Sequence, residues 1–226
     1  MSAYDILKAR GVTRLCHFTK LQSLTHILSS EDGVLASSSI RQDTKNVTDK
    51  ARYDGELDYV CCSIEYPNSW FLDKAKQKDM DQIFRDWVVL YIDLKTLNRR
   101  PAKFCPCNAS RSSGAFIESK MDNVGSIFAP SVRTFQYSRS PQMLPCCPTD
   151  GQAEILIKDN IPRDYIIGIA AGNSEIAGQV YAMMKTCRIN PVTLYKAPDV
   201  LSTAWSKLIR DGHRPGETIC VWPEEE

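Results

Sequence analysis

The chain has 226 residues, of which 43% are hydrophobic and 24% are charged, close to the average of soluble globular proteins. This composition excludes a disordered chain, a fibrous repeat and a coiled coil, and no apolar run approaches the roughly 18 residues that a membrane span needs. The formal net charge of +1 excludes a basic coat over the whole surface but leaves a local basic groove open. Because no secretory signal, internal repeat or linker is visible, we expect a single cytoplasmic domain over residues 1–226.

Nine cysteines are present, and several are neighbours in the sequence: Cys61-Cys62, Cys105-Pro106-Cys107 and Cys146-Cys147. A zinc site built from cysteines needs pairs with CxxC-like spacing, which none of these clusters has. We therefore expect reduced, buried thiols and no metal.

The first predicted elements are a strand and a helix. Residues 13–18 form an apolar strand pattern, and Thr19 and Gln22 then match a capping box at the start of a helix that ends at Gly33. Residues 36–55 are polar and predict a long loop or a loosely held helix.

The middle of the chain carries the strongest strand signal. Residues 58–64 predict a strand, residues 71–86 show helical spacing, and residues 87–94 are almost continuously apolar, as in a strand buried on both faces. Residues 98–125 and 130–151 predict irregular structure rich in turn residues.

The last third alternates strands and helices. We predict strands over residues 153–158, 165–171 and 192–195, and helices over residues 173–185 and 199–210. The irregular spacing of all these strands favours a mixed α+β fold over a doubly wound sheet.

Three features could carry chemistry, since no P-loop, GxGxxG, HExxH or GxSxG motif is present. His17 lies at a strand end, where it could face a ligand or be a half-buried structural histidine. Gln152 and Glu154 open a late apolar strand, where Glu154 could be functional or could face water on an edge strand. Arg52 lies in a basic polar stretch and could equally be a solvated loop residue.

The order of these features resembles the ADP-ribosyltransferase fold and, more closely, the DarT family of nucleic-acid ADP-ribosyltransferase toxins. The similar segments lie within residues 12–171 and are LCHFTKLQSLTHIL (15–28), DYVCCSIEYPNSWF (58–71) and GQAEILI (151–157). The resemblance implies an ADP-ribosyltransferase-like split β-sheet core with flanking helices. It further implies NAD as the ADP-ribose donor and a base in single-stranded nucleic acid, DNA rather than RNA, as the acceptor. Toxin–antitoxin or phage-defence biology, with a macrodomain antitoxin that reverses the modification, is implied as well.

The resemblance also assigns roles to residues of this sequence. Glu154 would hydrogen-bond the ribose 2′-hydroxyl and stabilise the oxocarbenium-like state, and Arg52 would contact the pyrophosphate or activate the acceptor. The residues expected to bind NAD are His17, which would hold the adenosine-side ribose, and Phe18, Thr19, Tyr59, Asn68 and Ser69. Those expected to contact the acceptor are Gln152, Arg133, Phe135, Tyr137 and Arg139, which combine charge with rings that can stack on bases.

Other functions stay open at the level of sequence. The acceptor could be RNA, or a protein side chain, which the near-neutral charge slightly favours. The chain could also be a non-catalytic binding module, although the set His17, Arg52 and Glu154 argues against that. A zinc-stabilised interaction protein would rest on the cysteines alone.

Overall fold

The structure is a computed structural model that describes residues 1–40, 53–78, 86–132 and 138–222. Four of the predicted site residues therefore lie outside the described residues: Arg52, Arg133, Phe135 and Tyr137. The C-terminal part of the helix predicted over residues 71–86 also lies outside them.

Ten strands and five α-helices form within the described residues. The strands are β1 (Leu15–Lys20), β2 (Val34–Leu35), β3 (Tyr59–Ile64), β4 (Trp87–Ile92), β5 (Ala102–Cys105), β6 (Glu154–Lys158), β7 (Asn160–Ile161), β8 (Ile166–Ala171), β9 (Thr193–Lys196) and β10 (Thr218–Ile219). The helices are α1 (Ala3–Ala9), α2 (Leu24–Ser29), α3 (Ser69–Lys78), α4 (Ser174–Thr186) and α5 (Trp205–Arg210).

Eight of the strands form one sheet in the order β10-β9-β8-β4-β1-β3-β6-β5, while β2 and β7 pair separately. Neighbouring strands are antiparallel except β8 and β9, which are parallel. All six residues of the central strand β4 are buried. This burial on both faces explains its nearly continuous apolar sequence and confirms the strand predicted there.

The sheet is split between β1 and β3. Strand β1 pairs with β4 along its whole length, from Leu15 to Lys20. It pairs with β3 only at its first two residues, Leu15 with Ile64 and Cys16 with Ser63. Strand β3 in turn pairs fully with β6. Two half-sheets are thus joined at one end and diverge at the other, which confirms the predicted split core.

The predicted capping box at Thr19 is wrong. Strand β1 continues through Thr19, which pairs with Val88, and a short 3₁₀ turn over Leu21–Ser23 precedes α2. The ladder to β4 holds Thr19 in extended backbone, so tertiary pairing overrides the local helix-start signal.

Five of the strands and α-helices in the described residues were not predicted: α1, β2, β5, β7 and β10. Helix α1 begins with a true capping box, in which the side chains of Ser2 and Asp5 satisfy each other's backbone N–H groups. Strand β5 falls in a stretch predicted to be irregular, and it forms because β6 offers it a free edge. No helix in the described part of the chain is long and apolar enough to cross a bilayer.

Candidate active site

A cleft of about 480 Å³ opens where β1 and β3 diverge. Residues 16–19 of β1 line one side of it, and residues 59–63 of β3 line the other. Glu154 lies at its joined end, and α2, the β2 segment and residues Asn108 and Ser110 complete the wall. The structure therefore brings together five of the predicted NAD-binding residues and the predicted catalytic carboxylate: His17, Phe18, Thr19, Tyr59, Asn68 and Glu154.

Glu154 is the first residue of β6, and its side chain is buried, with the residue only 8% exposed. It pairs with Ser63 on β3, and Ser63 pairs with Cys16 on β1. Glu154 is thus two strand spacings, about 10 Å, from the start of the split. Its Oε2 accepts the backbone N–H of Ala109 at 3.1 Å. A buried carboxylate held by a backbone donor is oriented before any ligand arrives.

The loop that follows β5 holds Glu154 in place. Asn108 Oδ1 accepts the backbone N–H of Ser110 at 3.1 Å and also the Ser110 hydroxyl. This turn places the Ala109 N–H against Glu154 and exposes the Asn108 and Ser110 side chains to the cleft. Sequence reasoning missed both residues, although Pro106 followed by an Asn and a Ser is a turn signal.

His17 is anchored across the split. Its Nδ1 donates to the Cys61 carbonyl at 2.9 Å, because a carbonyl oxygen can only accept. In the neutral form of the ring, this bond fixes the tautomer and leaves Nε2 as the acceptor. Beside it, the Phe18 ring contacts the Phe71 and Trp87 rings at centroid distances of 5.9 Å and 5.8 Å. The wall at this point is rigid and largely apolar.

Asn68 and Ser69 separate into two roles. Asn68 lines the cleft, and its Oδ1 caps α3 by accepting the Phe71 N–H at 3.1 Å. Ser69, predicted to bind NAD, is fully buried, donates to the Pro67 carbonyl and accepts the indole N–H of Trp205. The Ser69 prediction is therefore corrected, because its hydroxyl is used inside the core.

Gln152 and Arg139 do not reach the cleft. Gln152 precedes β6 and lines a separate cavity of about 50 Å³ beside Trp70 and Trp205, so it does not share the cleft with Glu154 as predicted. Arg139 donates to the carbonyls of Cys147 and Leu144 at 2.7 Å and 2.8 Å. Its guanidinium stabilises this loop, and its predicted contact with the acceptor strand stays a prediction.

The charged side chains of the cleft are acidic or histidine. Within the described residues the lining contains Asp54, Glu154, His17 and His26, with no lysine or arginine. No cluster of three or more metal-ligating side chains occurs in the ranges that the structure describes. Burial raises the pKa of the Cys16 thiol to about 12, so this wall thiol is protonated and behaves as an apolar group.

The family model described as "DarT: ssDNA thymidine ADP-ribosyltransferase" matches residues 16–202. The search among curated proteins gave no significant match.

Three solved structures illustrate the structural similarity. DarT of Thermus sp. 2.9 in complex with ADP-ribosylated ssDNA has a TM-score of 0.62 at 16% identity, over 84% of this chain and 96% of that one. The same protein in complex with NAD⁺ has a TM-score of 0.59 at 15% identity, over 80% and 93% of the two chains. DarTG of Thermosipho africanus in complex with ADP-ribose has a TM-score of 0.56 at 14% identity, over 84% of this chain and 51% of that one.

These matches confirm the predicted ADP-ribosyltransferase fold. The family match covers most of the chain and includes β1 from its second residue onward, the split and Glu154. It also confirms the predicted single-stranded DNA acceptor over RNA or a protein side chain. The chain belongs to the DarT family of ssDNA thymidine ADP-ribosyltransferases.

Proposed function

We propose that NAD⁺ binds in the split between β1 and β3, with its nicotinamide-side ribose against Glu154, and that its ADP-ribosyl group is transferred to thymidine in single-stranded DNA. The buried, backbone-held carboxylate of Glu154 at the joined end of the cleft carries this proposal. The cleft volume of about 480 Å³ also lies within the range of small-molecule sites.

The residues of the cleft fit this dinucleotide. Asn68 offers a buried N–H donor, and the anchored His17 ring offers a polar edge beside an aromatic wall. The Asn108 and Ser110 side chains add hydrogen-bonding groups near Glu154. Carbonyls, ribose hydroxyls and a planar ring are the groups that such a lining binds.

NAD⁺ supplies an ADP-ribosyl group. Its bond to nicotinamide breaks with the electron pair leaving on nicotinamide, a bond to the thymidine base forms, and the base releases one proton to water. Glu154 accepts a hydrogen bond from the ribose 2′-hydroxyl and stabilises the positive charge that develops on the ribose. His17 holds the adenosine-side ribose and contributes mainly to binding. The roles predicted for Arg52, Arg133, Phe135 and Tyr137 stay predictions, because these residues lie outside the described ones.

The test is to incubate the enzyme with NAD⁺ and single-stranded oligomers that contain or lack thymidine, followed by mass spectrometry. We expect an ADP-ribose adduct only on oligomers with thymidine. Glu154→Gln keeps the size of the side chain and should lose about a hundredfold or more in rate. Glu175→Gln, an exposed change in α4, is the matched control and should not alter the rate. Normal transfer by folded Glu154→Gln would reject the assignment.

We further propose that the chain is the toxin of a toxin–antitoxin pair whose antitoxin is a macrodomain. The support is the family match and the structural similarity to a DarTG protein. Induced expression of the wild-type chain should stop growth, and Glu154→Gln should not. Co-expression of an active macrodomain ADP-ribosylhydrolase should restore growth and remove the adduct from DNA. Equal toxicity of both forms would contradict the proposal.

A further inference from the structure

Asn68 presents a buried hydrogen-bond donor that the fold does not use. The residue is 1% exposed and lines the cleft. Its Oδ1 accepts the Phe71 N–H, which fixes the end of the amide that carries the oxygen. Its Nδ2 is buried and makes no hydrogen bond within the described part of the chain. Since an unpaired buried donor costs free energy, a ligand acceptor explains its position.

The backbone fixes where that donor lies. The Asn68 N–H donates to Ser63 Oγ at 2.9 Å. Ser63 is the residue that pairs with Cys16 on β1 and with Glu154 on β6. Asn68 is therefore anchored at the joined end of the cleft. Its partner Ser63 belongs to the last pair of the β1–β3 ladder and lies beside Glu154, the proposed catalytic residue.

We infer that Asn68 Nδ2 donates to the carboxamide oxygen of the nicotinamide ring, which makes Asn68 a specificity-determining residue for the ADP-ribose donor. This inference rests on the proposed function. Nicotinamide is bonded directly to the ribose that Glu154 contacts, and it is small enough to reach a residue that is almost fully buried. Thymidine stays attached to its strand and approaches from the open side.

The same hydrogen bond would favour bond cleavage. The nicotinamide ring is positively charged in NAD⁺ and neutral after it leaves, so its carboxamide oxygen is a better acceptor after cleavage than before it. A donor fixed by the α3 cap thus binds more strongly as the reaction proceeds, and such differential binding raises kcat. Asn68 would therefore affect both the affinity for NAD⁺ and the rate of nicotinamide release.

Two substitutions separate ligand binding from helix capping. Asn68→Asp is nearly isosteric and keeps an oxygen for the Phe71 N–H, whereas Asn68→Ser is neutral and is also a good N-cap. Calorimetry then gives the affinities for NAD⁺ and for ADP-ribose, which lacks the nicotinamide ring. We expect the NAD⁺ affinity, relative to that for ADP-ribose, to fall about tenfold in Asn68→Ser and further in Asn68→Asp, which turns a carboxylate toward the carboxamide oxygen.

Asn173→Asp, at the N-cap of α4, is the matched control and should change neither affinity. The inference would be overturned if Asn68→Ser left both affinities unchanged, or if it lowered the affinities for NAD⁺ and for ADP-ribose by the same factor. A raised KM for the oligomer with unchanged NAD⁺ affinity would assign the donor to a thymine carbonyl and overturn it too. If Asn68→Ser does not fold, Asn68→Asp decides, since it keeps the cap. Failure of the wild-type protein to bind either ligand would instead overturn the proposed function itself, and this inference with it.

Discussion

Two buried glutamates lie near opposite ends of the short ladder between β1 and β3. Glu65, just past the joined end, is fully buried and accepts hydrogen bonds from the Thr13 N–H and hydroxyl and from the Arg214 guanidinium. Glu154, facing the split, is almost as buried but is reached by the backbone N–H of Ala109 and lines an open cleft. The comparison teaches that burial alone does not distinguish the structural carboxylate of Glu65 from the one that we propose to be catalytic, whereas access to a cleft does.

The ion pair between Glu65 and Arg214 belongs to a larger ionic network. Arg14 forms an ion pair with Glu217 through both terminal nitrogens, and its guanidinium lies 3.7 Å from the centre of the Tyr91 ring. The Arg14 Nε also donates to the Glu65 carbonyl at 3.0 Å. These bonds attach the C-terminal segment to the start of β1, so the network stabilises the end of the sheet at which the cleft closes.

The largest expected effect tests the cleft carboxylate. Glu154→Gln should lower kcat for transfer to a thymidine oligomer by about a hundredfold to a thousandfold, because a charge that stabilises the transition state is lost. Its melting temperature should stay close to that of the wild type, which calorimetry measures. If Glu154→Gln lost activity only because it no longer folded, Glu154 would have a structural role like that of Glu65.

The opposite pattern is expected for Glu65→Gln. The change removes the charge that pairs with Arg214 and weakens the bonds from Thr13, which should cost about 2 kcal/mol of the free energy of unfolding. Urea denaturation measures this loss. At a temperature where the variant is folded, kcat should remain near the wild-type value. A folded Glu65→Gln protein without activity would show that Glu65 itself takes part in catalysis.

Arg139 tests whether a residue that stabilises a loop also binds the DNA acceptor. Arg139→Ala removes donors to the Cys147 and Leu144 carbonyls and should destabilise the fold by about 1–2 kcal/mol. The KM for the oligomer should stay unchanged in the folded variant. Arg99→Ala, at an exposed site, is the control for the loss of one positive charge. A large rise in KM for Arg139→Ala alone would support its predicted contact with DNA.

His17 should affect binding more than chemistry. Its ring is tied to the Cys61 carbonyl across the split, and the ribose we assign to it does not react. His17→Ala should raise the KM for NAD⁺ about tenfold and change kcat less, because uniform binding is what it removes. Steady-state kinetics with varied NAD⁺ measure both. A large drop in kcat at unchanged KM would place His17 in the chemical step.

The smallest effect concerns a third buried carboxylate, Asp150, which accepts the Gln152 N–H at 2.9 Å. Burial raises its pKa above the ordinary value of 3.8. A raised pKa means that Asp150 supports folding most when protonated, and that this support is lost as pH rises through the folded-state pKa. Asp150→Asn should therefore slightly raise the melting temperature at neutral pH, with the difference vanishing below the ordinary pKa. An equal difference at both pH values would contradict this.

Much of the fold could be predicted because its periodic signals agree with its tertiary environment. The six buried residues of β4 were predicted as a strand from their apolar run, and α4 from its Asn173 cap. Where the two disagree, the sequence fails: Thr19 has a helix-start pattern but pairs with Val88 in β1. Strand β5 has no clear period and depends on the edge of β6.

The candidate site was predictable only in part. His17 and Glu154 were predicted from expected strand ends and from the family resemblance, and both line the cleft, although His17 lies within β1 and not at its end. Ser69, Gln152 and Arg139 could not be placed, because their surroundings come from residues distant in sequence, such as Trp205 for Ser69. Asn108 and Ser110 were missed because a turn signal predicts only that the chain turns, and does not show which distant residues the turn will face.

Because of the split in the sheet, the stability of the protein should depend on the concentration of the ligand bound there. The half-sheets share a ladder of only two residue pairs, so a dinucleotide held between β1 and β3 would bridge them where the ladder stops. Such a ligand binds the folded chain and not the unfolded one, and at a hundred times its dissociation constant it adds about 2.7 kcal/mol to stability. Hydrogen exchange along β1 and β3 should then slow as NAD⁺ is added. The protein would be most stable when NAD⁺ is abundant, and β1 and β3 would be the first strands to separate when NAD⁺ is depleted.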